Sequence, residues 1–505
     1  MGTVSSRIRS RLNPAAEEEP PAGGNEEEER AEAGAAVVPE EQAGHSGTVA
    51  TARQPGRKRK AGPGGTLAKV PHRALTRDDL FFLRDEDSDV KICAFQEEWC
   101  LHRAYLCRSG YFSSMFSGAW QETNMSTIEM QMPDENIDRD SFHEVLGFLY
   151  RGRIEIPPCR VVATLAAASM LQLDEVIRQC EVIMMTSVNA ETVCTYYYSA
   201  EIYGLRAIKY ICRQWLLDNL MTRQNDELLL EINLDLMKEL IASSDLLVVE
   251  VEMDVYTTLK KWMFLQLELT STGSQEGLLP IEHLCFAKYK SNSDGAYFLD
   301  CEQGRAFVPV FQQLRLAYII CDPPSAHIID QDELIPATWL TRVYKEQWLA
   351  LLWEKQNRKL GPMDVYFSDI HGNSMRCSGK LYADEERSWT WPGFKFAWDL
   401  VVCYTNKRII FRRSALKTSC GLGVNLLWQR KVAFRLRVIS LDQTGKAVFR
   451  METDYHVLSL RKDQELPVVS LENQDTRFPM YVACNFLYLA PETASCSGRS
   501  RSARR

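Results

Sequence analysis

The sequence predicts a multidomain α+β protein: a disordered N-terminus, an α/β domain, an α-helical domain and a β-rich, sandwich-like C-terminal domain. Three observations predict it. Between Ser88 and Ile156, apolar residues alternate at Val90, Ile92 and Ala94 and then switch to helical spacing at Phe112, Met115 and Phe116. From Val188 to Trp262 the apolar spacing stays helical. From about Gly361 onward, β-branched and aromatic runs separated by turn residues take over. A chain of 505 residues with 45% hydrophobic content has room for three such domains, each with its own core.

Composition narrows the function classes. A formal net charge of -8 is the wrong sign for a protein that binds nucleic acid over its whole surface, because phosphates need clustered Lys and Arg. The fifteen cysteines include no C-x-x-C pair and follow no secretory signal, which predicts reduced, buried thiols in a cytosolic or nuclear setting. The most apolar run, Val161 to Leu173, is too short to span a bilayer and is interrupted by Thr164, Ser169 and Gln172. The eight histidines are scattered without His-x-x-x-His partners, G-x-S-x-G is missing, and Gly421-x-Gly423 lacks the third glycine of a phosphate cradle. The expectation is a protein without catalysis, cofactor, metal or direct nucleic-acid binding.

Taken in order, residues 1–76 read as a disordered segment with acidic runs and a basic cluster, since the stretch from Asn13 to Lys69 has too few large apolar side chains to offset its ordering entropy. Gly2 with Ser6 satisfies the N-myristoylation pattern, and Arg7, Arg9 and Arg11 could supply the second membrane signal that one acyl chain requires. An ordinary disordered start is the competing reading; mass spectrometry of the mature N-terminus separates the two. Arg57, Lys58, Arg59 and Lys60, flanked by Gly and Pro, form either a nuclear-localisation signal or a solvated charge run.

Residues 77–186 form the α/β unit: a hairpin, then helices, with Ser109 as N-cap of the helix carrying Phe112, Met115 and Phe116. Helical spacing continues from Val161 to Ile183 through Leu165, Ala166 and Leu173. Residues 187–357 form the helical domain, with paired amphipathic helices across Val188 to Leu220 and a further one at Val255, Leu259 and Trp262; a Ser-, Gly- and Asn-rich insertion lies near 270–302. Residues 361–491 carry the strands DLVVCY, RIIFRR, KVAFRLRVIS, KAVFRM, YHVLSL and YVACNFLYL. Val432, Phe434, Leu436 and Val438 alternate with Lys431, Arg435 and Arg437, which predicts one buried and one wet face. In SWTWPGFKFAWDL the alternating Trp389, Trp391, Phe394, Phe396 and Trp398 read as sandwich core, with a peptide-binding groove as the alternative. Residues 492–505 are a basic tail.

The first block resembles a BTB/POZ domain through Asp89-Val90, His102-Arg103 with Leu106, Ser109 with Phe112, Met115 and Phe116, and then Phe142, Leu146, Tyr150 and Gly152. The helical region resembles the BACK domain that follows BTB in many ubiquitin-ligase adaptors, through Glu252, Val255, Tyr256, Leu259 and Trp262 and through Leu314-Arg315-Leu316. No repeat of about 50 residues marks a kelch propeller. With the N-terminal Met-Gly and the basic cluster, the domain order resembles the germ cell-less family from Leu80 to Pro491.

These resemblances imply roles. Asp89 and Arg103 match the charged pocket at the BTB homodimer interface, and His102 is then a satisfied core histidine rather than an acid–base partner of Asp89. Trp120 and Glu122 match the hydrophobic-x-Glu element by which BTB adaptors engage cullin-3, where an aromatic anchor fills a groove and a carboxylate sets register. A surface tryptophan packed on its own domain is the alternative. The implied function is a non-catalytic, substrate-specific adaptor of a cullin-3 ubiquitin ligase that holds an unknown protein target on its C-terminal domain, with a role in germ-cell development and spermatogenesis. The competing reading is a nuclear-envelope or nuclear-matrix scaffold or transcriptional co-regulator that uses BTB only for self-association. The family's lamina-associated proteins and cell-cycle transcription factor partner favour that reading.

Overall fold

The computed structural model describes residues 82, 87–118, 121–223, 225–272, 297–355, 367–391, 399–413, 429–461 and 464–489. The N-terminal segment, including Gly2 and Arg57 to Lys60, lies outside the described residues, as do Trp120, Phe394, Phe396, Trp398, the Gly421-x-Gly423 fragment and the tail.

The alternation at Val90, Ile92 and Ala94 builds β1 (Val90–Ala94), with all three side chains buried. The chain reverses at Phe95 and Gln96, both with positive φ, the turn geometry that matches strand twist. β2 (Glu97–Leu101) then pairs antiparallel with β1, and β3 (Thr127–Glu129) adds parallel on β1's other side. Helices α1 (Arg103–Leu106) and α2 (Gly110–Ser117) follow the hairpin. The Ser109 hydroxyl caps α2 as expected, accepting from the Phe112 N–H at 3.3 Å, and donates to the Leu171 carbonyl at 2.6 Å. α3 (Arg139–Arg151) is capped by Asp138 and buries Phe142, Leu146 and Tyr150 at successive i, i+4 positions. It ends at Gly152 in the left-handed conformation, where a glycine carries no Cβ penalty. The spacing from Val161 to Ile183 resolves into two helices, α4 (Val161–Met170) and α5 (Asp174–Ser187), because the chain turns through Gln172 at φ 56°.

In the helical domain, α6 (Val193–Ile202) and α7 (Arg206–Asn219) turn about Gly204 at φ 73°. α8 (Asp226–Glu231) and α9 (Leu234–Ala242) are capped by Asn225 and Asn233. α10 (Glu252–Thr272) buries Val255, Leu259 and Trp262 completely, and the indole N–H of Trp262 donates to the Ile232 carbonyl at 2.9 Å. The span read as an insertion near 270–302 includes the end of α10 on one side. On the other it includes Leu299, which is packed into the core. The helices α11 (Val308–Phe311), α12 (Leu316–Ile319), α13 (Pro323–Asp332), α14 (Ala337–Lys355) and α15 (Phe367–Asn373) lead into the strands.

Among the described residues the remaining strands are β4 (Met375–Leu381), β5 (Arg387–Trp391), β6 (Leu400–Thr405), β7 (Arg408–Arg413), β8 (Gln429–Leu441), β9 (Ala447–Glu452), β10 (His456–Arg461), β11 (Glu465–Ser470) and β12 (Met480–Tyr488). They form one sheet in the order β10-β8-β12-β4, with β9 also on β8, and a second in the order β11-β7-β6-β5. The sheets meet face to face: the Phe411 ring of β7 sits 5.0 Å from Phe434 of β8, and Trp391 of β5 stacks 6.3 Å from Phe486 of β12. Trp389 packs on Gly379, where an added Cβ would lie 2.0 Å from the indole. Trp389 and Trp391 therefore serve packing, as the alternation predicts.

One expectation fails. The second face of β8 is not wet: Arg437 is 2% exposed, Arg435 is largely covered, and Ala433 and Ile439 on the same face are buried. That face is packed against the helical domain, which supplies partners for each charge. The thiols also divide: among the described cysteines all are free, and Cys180, Cys194, Cys212, Cys377 and Cys484 are buried, but Cys107 and Cys159 are exposed.

Candidate functional site

In the N-terminal α/β block, polar contacts link the hairpin to the helices that follow it. Asp89 precedes β1 and its Oδ1 accepts the Arg103 backbone N–H at 2.7 Å, which satisfies an otherwise unpaired donor at the start of α1. The His102 backbone N–H donates to the Tyr150 hydroxyl at 2.8 Å, and its ring Nδ1 lies 3.1 Å from the same oxygen. His102 is thus hydrogen-bonded, as expected, though half-buried rather than deep in the core. Burial pushes the Tyr150 phenol up to about 12, so it stays neutral at physiological pH.

Glu122 sits in a 3-10 turn, Gln121–Asn124, directly after α2, and is half-buried. Burial raises the Tyr111 phenol of α2, and the Glu122 carboxylate raises it further. The expected pocket residue Arg103 points toward this turn, its guanidinium meeting the carbonyls of Thr123 and Met125. Asp89 and Arg103 therefore meet through the Arg103 backbone, and the Arg103 side chain reaches backbone carbonyls that follow Glu122, which the spacing of these residues does not show. The α/β block is tied to the helical domain by Tyr203, whose hydroxyl donates to Asp134 Oδ2 at 2.5 Å and accepts from Asn136 Nδ2 at 3.1 Å.

The second arrangement lies between the helical domain and the sandwich. Glu252, at the start of α10, is 0% exposed and its carboxylate is held by Arg376 of β4: Oε1 accepts from the Arg376 backbone N–H and from Nε, both at 2.9 Å, and Oε2 from Nη2 at 2.7 Å. Arg376 Nη1 donates to the carbonyls of Ile241 and Ser243, each at 2.8 Å. Arg315 Nη1 lies 3.6 Å from Glu252 Oε1, and that guanidinium also donates to the Ser374 and His371 carbonyls. A buried charge is tolerated when its lone pairs and protons are matched in this way.

Further along, Arg435 Nη1 donates to Asp245 Oδ1 at 2.6 Å, Arg437 Nη1 to the Asp245 carbonyl at 2.7 Å, and Arg450 to Asp218. The β8–β9 turn is clasped by α7 and its C-terminal extension. Trp215 Nε1 donates to the Thr444 carbonyl, Asn219 Nδ2 to that of Gly445, and Arg223 Nη2 to those of Asp442 and Gln443. Gly445 has φ 88°, and a Cβ there would lie 2.4 Å from Asn219 Oδ1, so only glycine fits the clasp.

These carboxyl groups titrate in opposite directions. Burial pushes Glu252 up, but Arg376 and Arg315 outweigh it and hold the carboxyl below its ordinary value of 4.5. Burial also pushes Asp245 up, and Arg437 and Arg435 bring it below 3.8. For Asp218 burial prevails over Arg450 and Arg437, and the carboxyl lies above 3.8. Glu252 and Asp245 therefore contribute stability above the unfolded-state values that is lost as pH falls through the lower folded-state values, while Asp218 offsets part of it in the other direction. The stability difference between wild type and Glu252→Gln is expected to shrink as pH drops from 7 toward 3. Urea midpoints of both proteins across that range check it, and a constant difference would sink it.

No group of His, Cys, Asp and Glu among the described residues is arranged to hold a metal ion, and no helix among them is long and apolar enough to cross a membrane.

Comparison with known proteins fits this anatomy. The family model for the BTB/POZ domain matches residues 79–188, and the one described as BTB And C-terminal Kelch (BACK) matches 193–273. Germ cell-less protein-like 1 of Mus musculus is 51% identical over 418 residues, covering 83% of this chain and 80% of the relative. Germ cell-less protein-like 2 of Homo sapiens is 52% identical over 411 residues, covering 81% and 78%. Protein germ cell-less of Drosophila melanogaster is 30% identical over 437 residues, covering 82% and 76%. Identity at this level extends well past the two matched domains into the sandwich, and on that ground the chain belongs to the germ cell-less family of BTB–BACK proteins.

Proposed function

We propose that this chain is a non-catalytic, substrate-specific adaptor of a cullin-3 ubiquitin ligase: the BTB block recruits the cullin and the sandwich holds a protein target. The observation that carries this reading is the seating of the sandwich. Buried ion pairs and a clasped turn join it to the BACK helices, and Tyr203 joins those helices to the BTB block, so a target on the sandwich stands at a fixed position relative to the Glu122 turn. A ligase adaptor needs that property, since a fixed position raises the effective concentration of a target lysine near the conjugating enzyme. Self-association through the BTB block would make the assembly bivalent and add avidity for clustered targets.

Replacing Trp120 and Glu122 together with alanine is expected to abolish co-purification of cullin-3 while the BTB dimer persists. Unchanged capture of cullin-3 would refute the assignment, and the self-association scaffold at the nuclear envelope, with lamina-associated or transcription-factor partners, would then stand in its place. The germ cell-less names of the relatives support a role in germ-cell development, within which we propose spermatogenesis. For location, we propose nuclear entry through Arg57, Lys58, Arg59 and Lys60, with Gly2 as a lipid site that retains the chain at the envelope. Imaging of the full chain with Gly2→Ala, and separately with the four basic residues changed to alanine, tests it: an unchanged distribution in either variant removes that signal.

A further inference from the structure

Arg103 occupies the sequence position of a dimer-pocket charge, yet its guanidinium is engaged within its own protomer. Nη1 donates to the Thr123 carbonyl at 2.7 Å and Nη2 to the Met125 carbonyl at 2.5 Å. Its Cζ also lies 4.4 Å from the centre of the Phe116 ring. Phe116 in turn stacks on Phe112, which is fully buried. The result is a continuous strut from the BTB core through two rings and a guanidinium to the backbone of the turn after α2. A second tie comes from the Thr123 hydroxyl, which lies 3.0 Å from both the Met115 and Gly118 carbonyls at the C-terminal end of α2. The turn these ties hold carries Glu122, half-buried, and Met125, 49% exposed. Four residues of 3-10 geometry make few hydrogen bonds of their own, so the turn depends on such outside ties for its position.

We propose that Arg103 is a positioning residue for the cullin-docking turn, fixing the backbone that presents Glu122 and Met125. This deepens the adaptor reading above and rests on it. Arginine suits the role because a planar fork can donate to two carbonyls while its face lies on an aromatic ring. A lysine ammonium at the same position is a point donor and cannot do both, so the conservative substitution should fail as the truncating one does.

The test uses the full-length protein and three variants, Arg103→Ala, Arg103→Lys and Phe116→Leu. Three readouts are taken: amide hydrogen exchange across residues 122–126, affinity for the cullin-3 N-terminal domain, and mass in solution. Both Arg103 variants are expected to exchange faster at 122–126 and to bind the cullin about tenfold more weakly or worse, as the loss of charge-assisted hydrogen bonds implies, with the dimer mass unchanged. Phe116→Leu should move both readouts the same way by less, and it decides the matter if the Arg103 variants do not fold. Unchanged exchange overturns the proposal, as does faster exchange with full cullin affinity, or loss of the dimer in Arg103→Lys. Failure of the wild-type protein to bind cullin-3 overturns the adaptor reading and this proposal together, whereas weakened binding with unchanged exchange overturns this proposal alone.

Discussion

Replacing Arg376 with methionine is expected to destabilise the protein by about 3–5 kcal/mol, the range for removing one partner of a buried ion pair. The loss is that large because Glu252 has no route to solvent: it is 0% exposed, and Arg376 supplies most of the donors to its two oxygens. The same substitution removes the guanidinium donor from the Ile241 and Ser243 carbonyls at the C-terminal end of α9. Arg315 cannot substitute, since it stands 3.6 Å away with its own carbonyl partners, and burial together with repulsion from Arg376 brings its pKa down to about 10. A double variant, Arg376→Met with Glu252→Leu, should recover a good part of the loss, because it removes the stranded charge as well. Denaturant midpoints of the wild type, the singles and the double measure this, and a single variant within about 1 kcal/mol of wild type would contradict the account.

The second large effect concerns the sandwich on its own. Residues 361–491 expressed alone are expected not to reach a cooperatively folded state, whereas 187–491 should. Separation would expose a continuous apolar strip, Leu247 against Ile439, Leu441, Tyr481 and Ala483, from the sandwich side. It would also remove the helical-domain partners of Arg376, Arg435, Arg437 and Arg450, leaving Arg435 only Glu452 of β9, along with the Ser244 carbonyl that accepts from Asn485. The edge strand β4 would lose its cover too, since Ser378 donates from its N–H to the Glu250 carbonyl and from its hydroxyl to that of Val248. Dispersion of amide resonances and a sharp thermal transition in the isolated piece would contradict this. One consequence concerns target hunting: a bait limited to the sandwich would present its seat on the helices as an artificial binding surface, so 187–491 is the smaller piece to use.

Much of the fold was legible because local rules governed it. The period-2 run at Val90, Ile92 and Ala94, the Ser109 cap, and the buried row Val255, Leu259, Trp262 all appear where their spacing puts them, and Phe142, Leu146, Tyr150 and Gly152 lie on one helix and its cap as the BTB resemblance implies. β4 escaped notice because MRCSGKL reads as polar, yet Arg376 and Ser378 are both buried among partners more than a hundred residues earlier in the chain. The gap in the Val161 to Ile183 spacing was similarly hidden, since Gln172 takes up the left-handed turn without a glycine to announce it. For the BTB block, the motif residues were visible, but the direction of the Arg103 side chain was not.

The sequence by itself determined which residues share a face, the Ser109 cap, and the order of an α/β, a helical and a β-rich region, since periodicity and capping depend only on neighbours a few residues away; motif resemblance added the BTB and BACK families. Only the tertiary structure decided what covers each face. Alternation along β8 separates Val432, Phe434, Leu436 and Val438 from Arg435 and Arg437. A charge reads as solvent-facing until a carboxylate or carbonyl from a distant element is placed beside it. Asp218, Asp245 and Glu252 are placed there by the packing of α7, α9 and α10 against the sheet, and that packing turned a predicted wet face into the joint that holds the two domains together.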